Sequence, residues 1–198
     1  MKIRQIRNAT LVLEIGGTKL LVDPWLAPAS DKFPGPTAPL NVPMNEIVNV
    51  DGVILTHIHP DHWDTVAVEN LDADIPIFTQ HAADRDRVRD GSAQIVEPTG
   101  EVWYTKVEGK NFNNVGVLTG NPEFKGVKLK KVPGQHGSDF PLQVAYDILG
   151  DVMGVVLSHP KEKTLYIAGD TVWNEYVEAN IAEYKPDIII VNAGNAKL

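Results

Sequence analysis

Residues 52–56, Gly-Val-Ile-Leu-Thr, form an uncharged run that passes without a break into His57-Ile58-His59-Pro60-Asp61-His62-Trp63-Asp64. A short apolar run rich in β-branched residues reads as a buried strand. A soluble chain that ends such a strand in a crowd of imidazoles must use a fold that exposes this strand end to a functional site. Three of the chain's six histidines lie here, with two carboxylates, inside eight residues. On an extended segment His57 and His59 project to the same side, while Asp61 and His62 follow Pro60, where the chain leaves the strand. Imidazole and carboxylate are the usual ligands of zinc and similar divalent ions, and two such ligand pairs on one loop fit a pair of metals. The competing account is a set of solvated loop histidines. With no cysteine in the chain, thiolate sites, disulfides and a Cys nucleophile are excluded, so a metal must be held by nitrogen and oxygen.

The rest of the pattern alternates strands and helices. Residues 10–15 and 18–23 are β-prone runs joined by Gly16-Gly17, a loop suited to a primed hairpin turn. A Pro-rich passage from Pro24 to Pro43 reads either as a functional loop or lid or as a surface excursion. A short helix is predicted over 63–71, a strand over 75–79, and a charged helix over about 81–89. Short strands follow between Glu101 and Val132. A hairpin of 153–158 with 164–168, a helix over about 173–184 and a strand over 187–191 complete the chain. With 198 residues and 43% apolar composition, one domain with a sizeable core is expected, in a layered α/β sandwich. Trp25, Trp63 and Trp173 are expected to be buried, and His81 and His159 to be surface histidines.

The net charge of −8 disfavours nucleic acid and anionic membranes, since no basic run exceeds Lys130-Lys131. No apolar stretch is long enough for a membrane span, and Glu14 interrupts the first one, so a cytoplasmic protein acting on a small molecule is expected.

HIHPDH resembles the H-x-H-x-D-H signature of the metallo-β-lactamase superfamily. The likeness extends to the opening hairpin ending LLVDPW, to Gly134-Gln135-His136-Gly137 and to Ile167-Ala168-Gly169-Asp170-Thr171. Within that superfamily the chain is most similar to the short metal-dependent hydrolases related to ascorbate-phosphate lactonase. The resemblance implies an αββα sandwich with a binuclear metal site. It implies that His57, His59 and His136 hold one metal, that Asp61 and His62 hold the other, that Asp170 bridges them, and that Asp23 orients a metal-bound imidazole. Glycines on both sides of His136 permit a tight turn. On local grounds alone Asp170 could equally cap the following helix, Asp23 could form a turn before Pro24, and Asp64 could orient a ligand or cap a helix. The family also has a further histidine ligand after the strand that here ends near Gly194. With the last residue at Leu198, the resemblance implies a domain incomplete at its C-terminus, and apolar sheet surface at 188–191 that favours association.

The expected activity is hydrolysis by metal-activated water on a lactone, ester, amide or phosphoester, with Asp61 as proton acceptor. Zinc is the first metal expected, with manganese, iron or nickel as alternatives. Two rival readings are a diiron redox domain of the same fold, against which His59 stands where such proteins tend to carry Glu, and a catalytically inactive scaffold. A homo-oligomer is compatible with the acidic surface.

Overall fold

The computed structural model describes residues 1–31, 35–97 and 99–193, and the chain divides into two compact units, Met1–Leu118 and Thr119–Leu198. In the first unit β1 (Lys2–Arg7), β2 (Thr10–Ile15) and β3 (Thr18–Val22) run antiparallel. β3 then pairs in parallel with β4 (Gly52–Ile54), which pairs with β5 (Ile77–Thr79), which pairs with β8 (Val115–Val117). Gly16 and Gly17 have φ of 58° and 85°, the positive angles of a primed turn, and they set the register Ile15 to Thr18 and Leu13 to Leu20. A two-stranded ribbon, β6 (Ser92–Val96) with β7 (Val102–Lys106), and helices α1 (Met44–Val48), α2 (Thr65–Asn70) and α3 (Ala82–Arg89) complete the unit.

β4 is buried along its whole length, which is why its sequence is continuously apolar rather than alternating. One core gathers Leu21, Val53, Leu55, Trp63, Val68, Ile77, Val88 and Phe112. Trp63 lies against the Phe112 ring and donates its indole N–H to the Ser92 carbonyl at 2.9 Å. Trp25 is buried as expected. β1 was not anticipated: its Lys and Arg residues break the alternation, because it is an exposed edge strand whose charges discourage pairing with another chain. Its last residue, Arg7, is the exception. The buried guanidinium donates to the carbonyls of Trp25, Ala27 and Ala38 and so ties together both ends of the Pro-rich passage.

In the second unit the sheet order is β13 (Ile188–Ile190), β12 (Leu165–Ile167), β11 (Met153–Ser158), β10 (Val127–Pro133), β9 (Glu123–Phe124). Only β12 and β13 are parallel, and α5 (Glu175–Tyr184) makes the crossover between them. Its N-cap is Asn174, whose side chain accepts from Val177 N at 3.1 Å. Val132, Val156, Tyr166, Ala168 and Val177 form one core cluster of this unit.

An unanticipated helix, α4 (Asp139–Leu149), follows His136. Pro141 obscured it in the sequence, yet it stands in the first turn, where a missing N–H breaks no helical bond. Burial of Trp173 is corrected: its side chain is 70% exposed and its indole N–H donates to Glu178 on the first turn of α5. Ile189 and Val191 are exposed by 40% and 64%. Among the described residues no helix is long and apolar enough to cross a membrane.

Candidate metal centre

β3 and β4 lie side by side in parallel, so both end at one edge of the sheet, and there the first unit gathers its polar residues. Asp23 N–H donates to Ile54 O at 3.0 Å, and Thr56 N–H donates to Asp23 Oδ1 at 2.7 Å. Asp23 has φ of 46°, a left-handed conformation that Asp and Asn tolerate best among side-chain residues. After Thr56 the chain turns at Pro60, with His62 and Trp63 N–H groups both donating to His59 O at 2.9 Å. The turn brings the three imidazoles together, His59 edge-on to His57 and His62 tilted against it. The centroid of the His57 ring is 4.5 Å from that of His59 and 3.9 Å from that of His62. His57 and His62 are buried.

The hydrogen bonds fix which ring nitrogens present lone pairs. His62 Nδ1 lies 3.0 Å from Asp23 Oδ2, so the carboxylate accepts a hydrogen bond from Nδ1–H and the Nε2 lone pair is left to face a cation. Thr56 Oγ1 donates to the same Oδ2 at 2.8 Å and therefore accepts from His57 Nδ1 at 3.1 Å, which leaves Nε2 of His57 in the same state. One buried carboxylate thus orients two imidazoles, one directly and one through a hydroxyl. Burial pushes the Asp23 carboxyl above its ordinary range, against the opposing pull of His62 and of the Thr56 donors. Asp61 stands at the mouth of this cluster, 46% exposed, with Oδ2 3.7 Å from His62 Nε2.

Asp64 caps the following helix. Oδ1 accepts from Ala67 N–H at 2.7 Å, while Oδ2 accepts from Leu26 and Ala27 N–H at 3.0 and 2.6 Å, which pins the start of the Pro-rich passage. Burial pushes its carboxyl up to about 6, against those three donors and Arg7. Folding therefore disfavours the charged form. The stabilisation is complete below the unfolded carboxylate range and is lost as pH rises through the folded pKa of about 6. Asp64→Asn removes this slope, so the stability advantage of the wild type over the variant is expected to shrink from pH ~4 to pH ~7. Urea denaturation at several pH values checks this, and parallel pH profiles would contradict it. His81 caps α3, with Nδ1 accepting from Asp84 N–H at 3.5 Å.

In the second unit His136 and Asp170 come together. Gly137, with φ of 100°, turns the chain after His136, whose Nδ1 lies 2.7 Å from Leu149 O. A carbonyl can only accept, so the proton is on Nδ1 and Nε2 carries the lone pair. Nε2 is 3.8 Å from Asp170 Oδ2, two acceptor atoms at the spacing of ligands around a cation rather than of a hydrogen bond. Asp170 follows Gly169 (φ 71°) at the end of β12 and does not cap α5; its other oxygen accepts from Asn192 Nδ2 at 2.6 Å. Thr56 and Asn192 escaped the sequence reading. A signal existed for Thr56, a lone hydroxyl at the end of the otherwise apolar run 52–56, whereas Asn192 has none, because its partner is 22 residues away. The donor set of neutral imidazoles and carboxylates fits borderline divalent metals such as zinc.

The sequence profile of the β-lactamase superfamily domain matches residues 18–197. The UPF0173 protein YddR of Bacillus subtilis (strain 168) is 37% identical over 206 residues, covering 98% of this chain and 72% of that protein. An isothiocyanate hydrolase from Delia radicum gut bacteria superposes with a TM-score of 0.83 at 39% identity, over 98% of this chain and 72% of that one. A possible metal-dependent hydrolase from Veillonella parvula DSM 2008 superposes with a TM-score of 0.85 at 32% identity, over 99% and 72% of the two chains. The chain belongs to the metallo-β-lactamase superfamily, with that superfamily's α/β fold, among the UPF0173 metal-dependent hydrolases.

Proposed function

We propose that the protein hydrolyses a small, uncharged electrophile with the help of two divalent metal ions, zinc first and manganese second. His57, His59 and His136 are assigned to one ion, Asp61 and His62 to the other, and Asp170 to both. The observation that carries this reading is the Asp23 and Thr56 arrangement, which leaves a lone pair on Nε2 of both His57 and His62. When bound, the metals supply a water of lowered pKa and neutralise charge on the atom that gains electrons. Asp61 takes the proton of the attacking water, since it is the exposed carboxylate beside His62.

The substrate class best supported is an isothiocyanate, from the 39% identity and near-complete coverage shared with the isothiocyanate hydrolase. Water oxygen bonds to the central carbon of R–N=C=S, the C=N π pair moves to nitrogen, and nitrogen takes a proton. Cleavage of the C–N bond of the resulting thiocarbamate then gives R–NH2 and COS, so one water is consumed. The lactones, esters and phosphoesters expected from the sequence belong in the same panel. Chelator-stripped protein is expected to be inactive, and added zinc should restore both metal content and turnover of phenethyl isothiocyanate. Turnover that survives complete stripping, or zinc uptake without turnover of any member of the panel, would overturn the reading.

A further inference from the structure

We infer that Thr171 is a positioning residue of the candidate metal centre: its hydroxyl ties the loop that carries His136 to the loop that carries Asp170, and so fixes the 3.8 Å spacing of His136 Nε2 and Asp170 Oδ2. This role rests on the assignment of both side chains to metal proposed above. The sheet of the second unit creates the need for such a tie. β10 runs antiparallel to β11, and β11 antiparallel to β12, so β10 and β12 point the same way and release their loops at one edge of the sheet. β11 lies between them. The two strands are therefore two strand spacings apart, about 10 Å, and share no ladder of hydrogen bonds. Their loops must be brought together by bonds of their own.

The residue before His136 and the two residues after Asp170 supply those bonds. Gln135 N–H donates to Thr171 Oγ1 at 2.9 Å, and Val172 N–H donates to Gln135 O at 3.0 Å. Both backbone groups of Gln135 are thus bonded to the opposite loop. The Thr171 hydroxyl donates in turn to Val172 O at 3.0 Å, which commits its proton and leaves a lone pair for Gln135. Packing agrees with this bonding. Gly134 lies so close to Thr171 that a Cβ on it would be 3.3 Å from Thr171 Cβ and 3.1 Å from Val152 Cγ2. Other contacts hold each ligand candidate from its own side: His136 Nδ1 is fixed by Leu149 O and Asp170 Oδ1 by Asn192, and neither bond joins the two loops. Without the Thr171 hydroxyl, Gln135 N–H loses its acceptor, and it regains a partner by turning toward water, which carries His136 away from Asp170.

Thr171→Val keeps the branched shape and removes the hydroxyl, whereas Thr171→Ser keeps the hydroxyl. Zinc affinity of the stripped full chain is measured by competition with a zinc-binding dye, well below the thermal midpoint of each metal-free variant. Thr171→Val should bind zinc about tenfold more weakly than wild type, and Thr171→Ser should recover most of that affinity. A residue that merely stabilised the fold would lower the midpoint and leave the zinc affinity of the folded protein unchanged. Thr171→Val with wild-type affinity would therefore overturn the inference, as would Thr171→Ser as weak as Thr171→Val. If Thr171→Val does not fold, Gly134→Ala decides: its Cβ presses on Thr171 with the hydroxyl intact, so weaker zinc binding is expected and unchanged binding overturns the positioning role. A wild type that takes up neither zinc nor manganese removes the metal reading and this role with it; zinc uptake by wild type that the variants leave unaltered removes the role alone.

Discussion

Asp23→Asn is expected to lower zinc affinity about 10- to 100-fold, with hydrolysis at limiting zinc falling in proportion. The shape change is nearly nil, and asparagine tolerates the left-handed backbone that Asp23 adopts. What changes is the direction of three hydrogen bonds, two at residue 23 and one between Thr56 and His57. If the amide oxygen keeps the Thr56 N–H bond, the amide NH2 faces Thr56 Oγ1 and His62 Nδ1, where both groups previously donated. His62 must then accept on Nδ1 and carry its proton on Nε2. Thr56, now an acceptor from the amide, turns its own proton toward His57 Nδ1, which moves the His57 proton to Nε2 as well. A single amide thus inverts two imidazoles and removes both lone pairs assigned to metal. Thr56→Val should cost less, because it frees only His57. Competition with a zinc-binding dye measures both variants, and an Asp23→Asn protein that binds zinc as tightly as wild type would refute the orienting role.

The contrast between Asp23 and Thr56 also marks what the sequence makes legible. Strands with a strong pattern could be read directly: the β2–β3 hairpin through Gly16-Gly17, and β4 through its continuous apolar run into the histidines. Elements governed by their neighbours could not. β1 carries edge charges in place of alternation, α4 hides behind Pro141, and Trp173 finds its partner in Glu178 rather than in the core. The histidine loop stood out because metal chemistry needs particular side chains at close spacing. The groups that orient those side chains did not, since a threonine hydroxyl beside a carboxylate 33 residues away in sequence becomes visible only when β3 and β4 lie next to each other.

Gly154→Ala is expected to destabilise the protein by about 3 kcal/mol, the upper end of ordinary overpacking. Gly154 sits in β11 opposite Val132 of β10. A Cβ there would lie 2.7 Å from Tyr166 Cε2, 2.9 Å from Val132 Cγ2 and 3.0 Å from Ile167 O. None of the three can yield freely. Ile167 O is backbone of a strand paired with β11, Val132 is buried, and the Tyr166 ring is fully buried and held at its far end by Asn180, which also donates to Pro133 O. Swinging the ring away would strand that buried hydroxyl. Gly116→Ala is the control: a Cβ there meets nothing within 4 Å, so its effect should stay within about 0.5 kcal/mol. Urea unfolding of the two variants reads the difference. Tyr166→Leu removes the atom in closest conflict, so combined with Gly154→Ala it should cost less than the sum of the separate changes. Simple additivity of that pair would show that the ring is not what excludes a side chain at position 154.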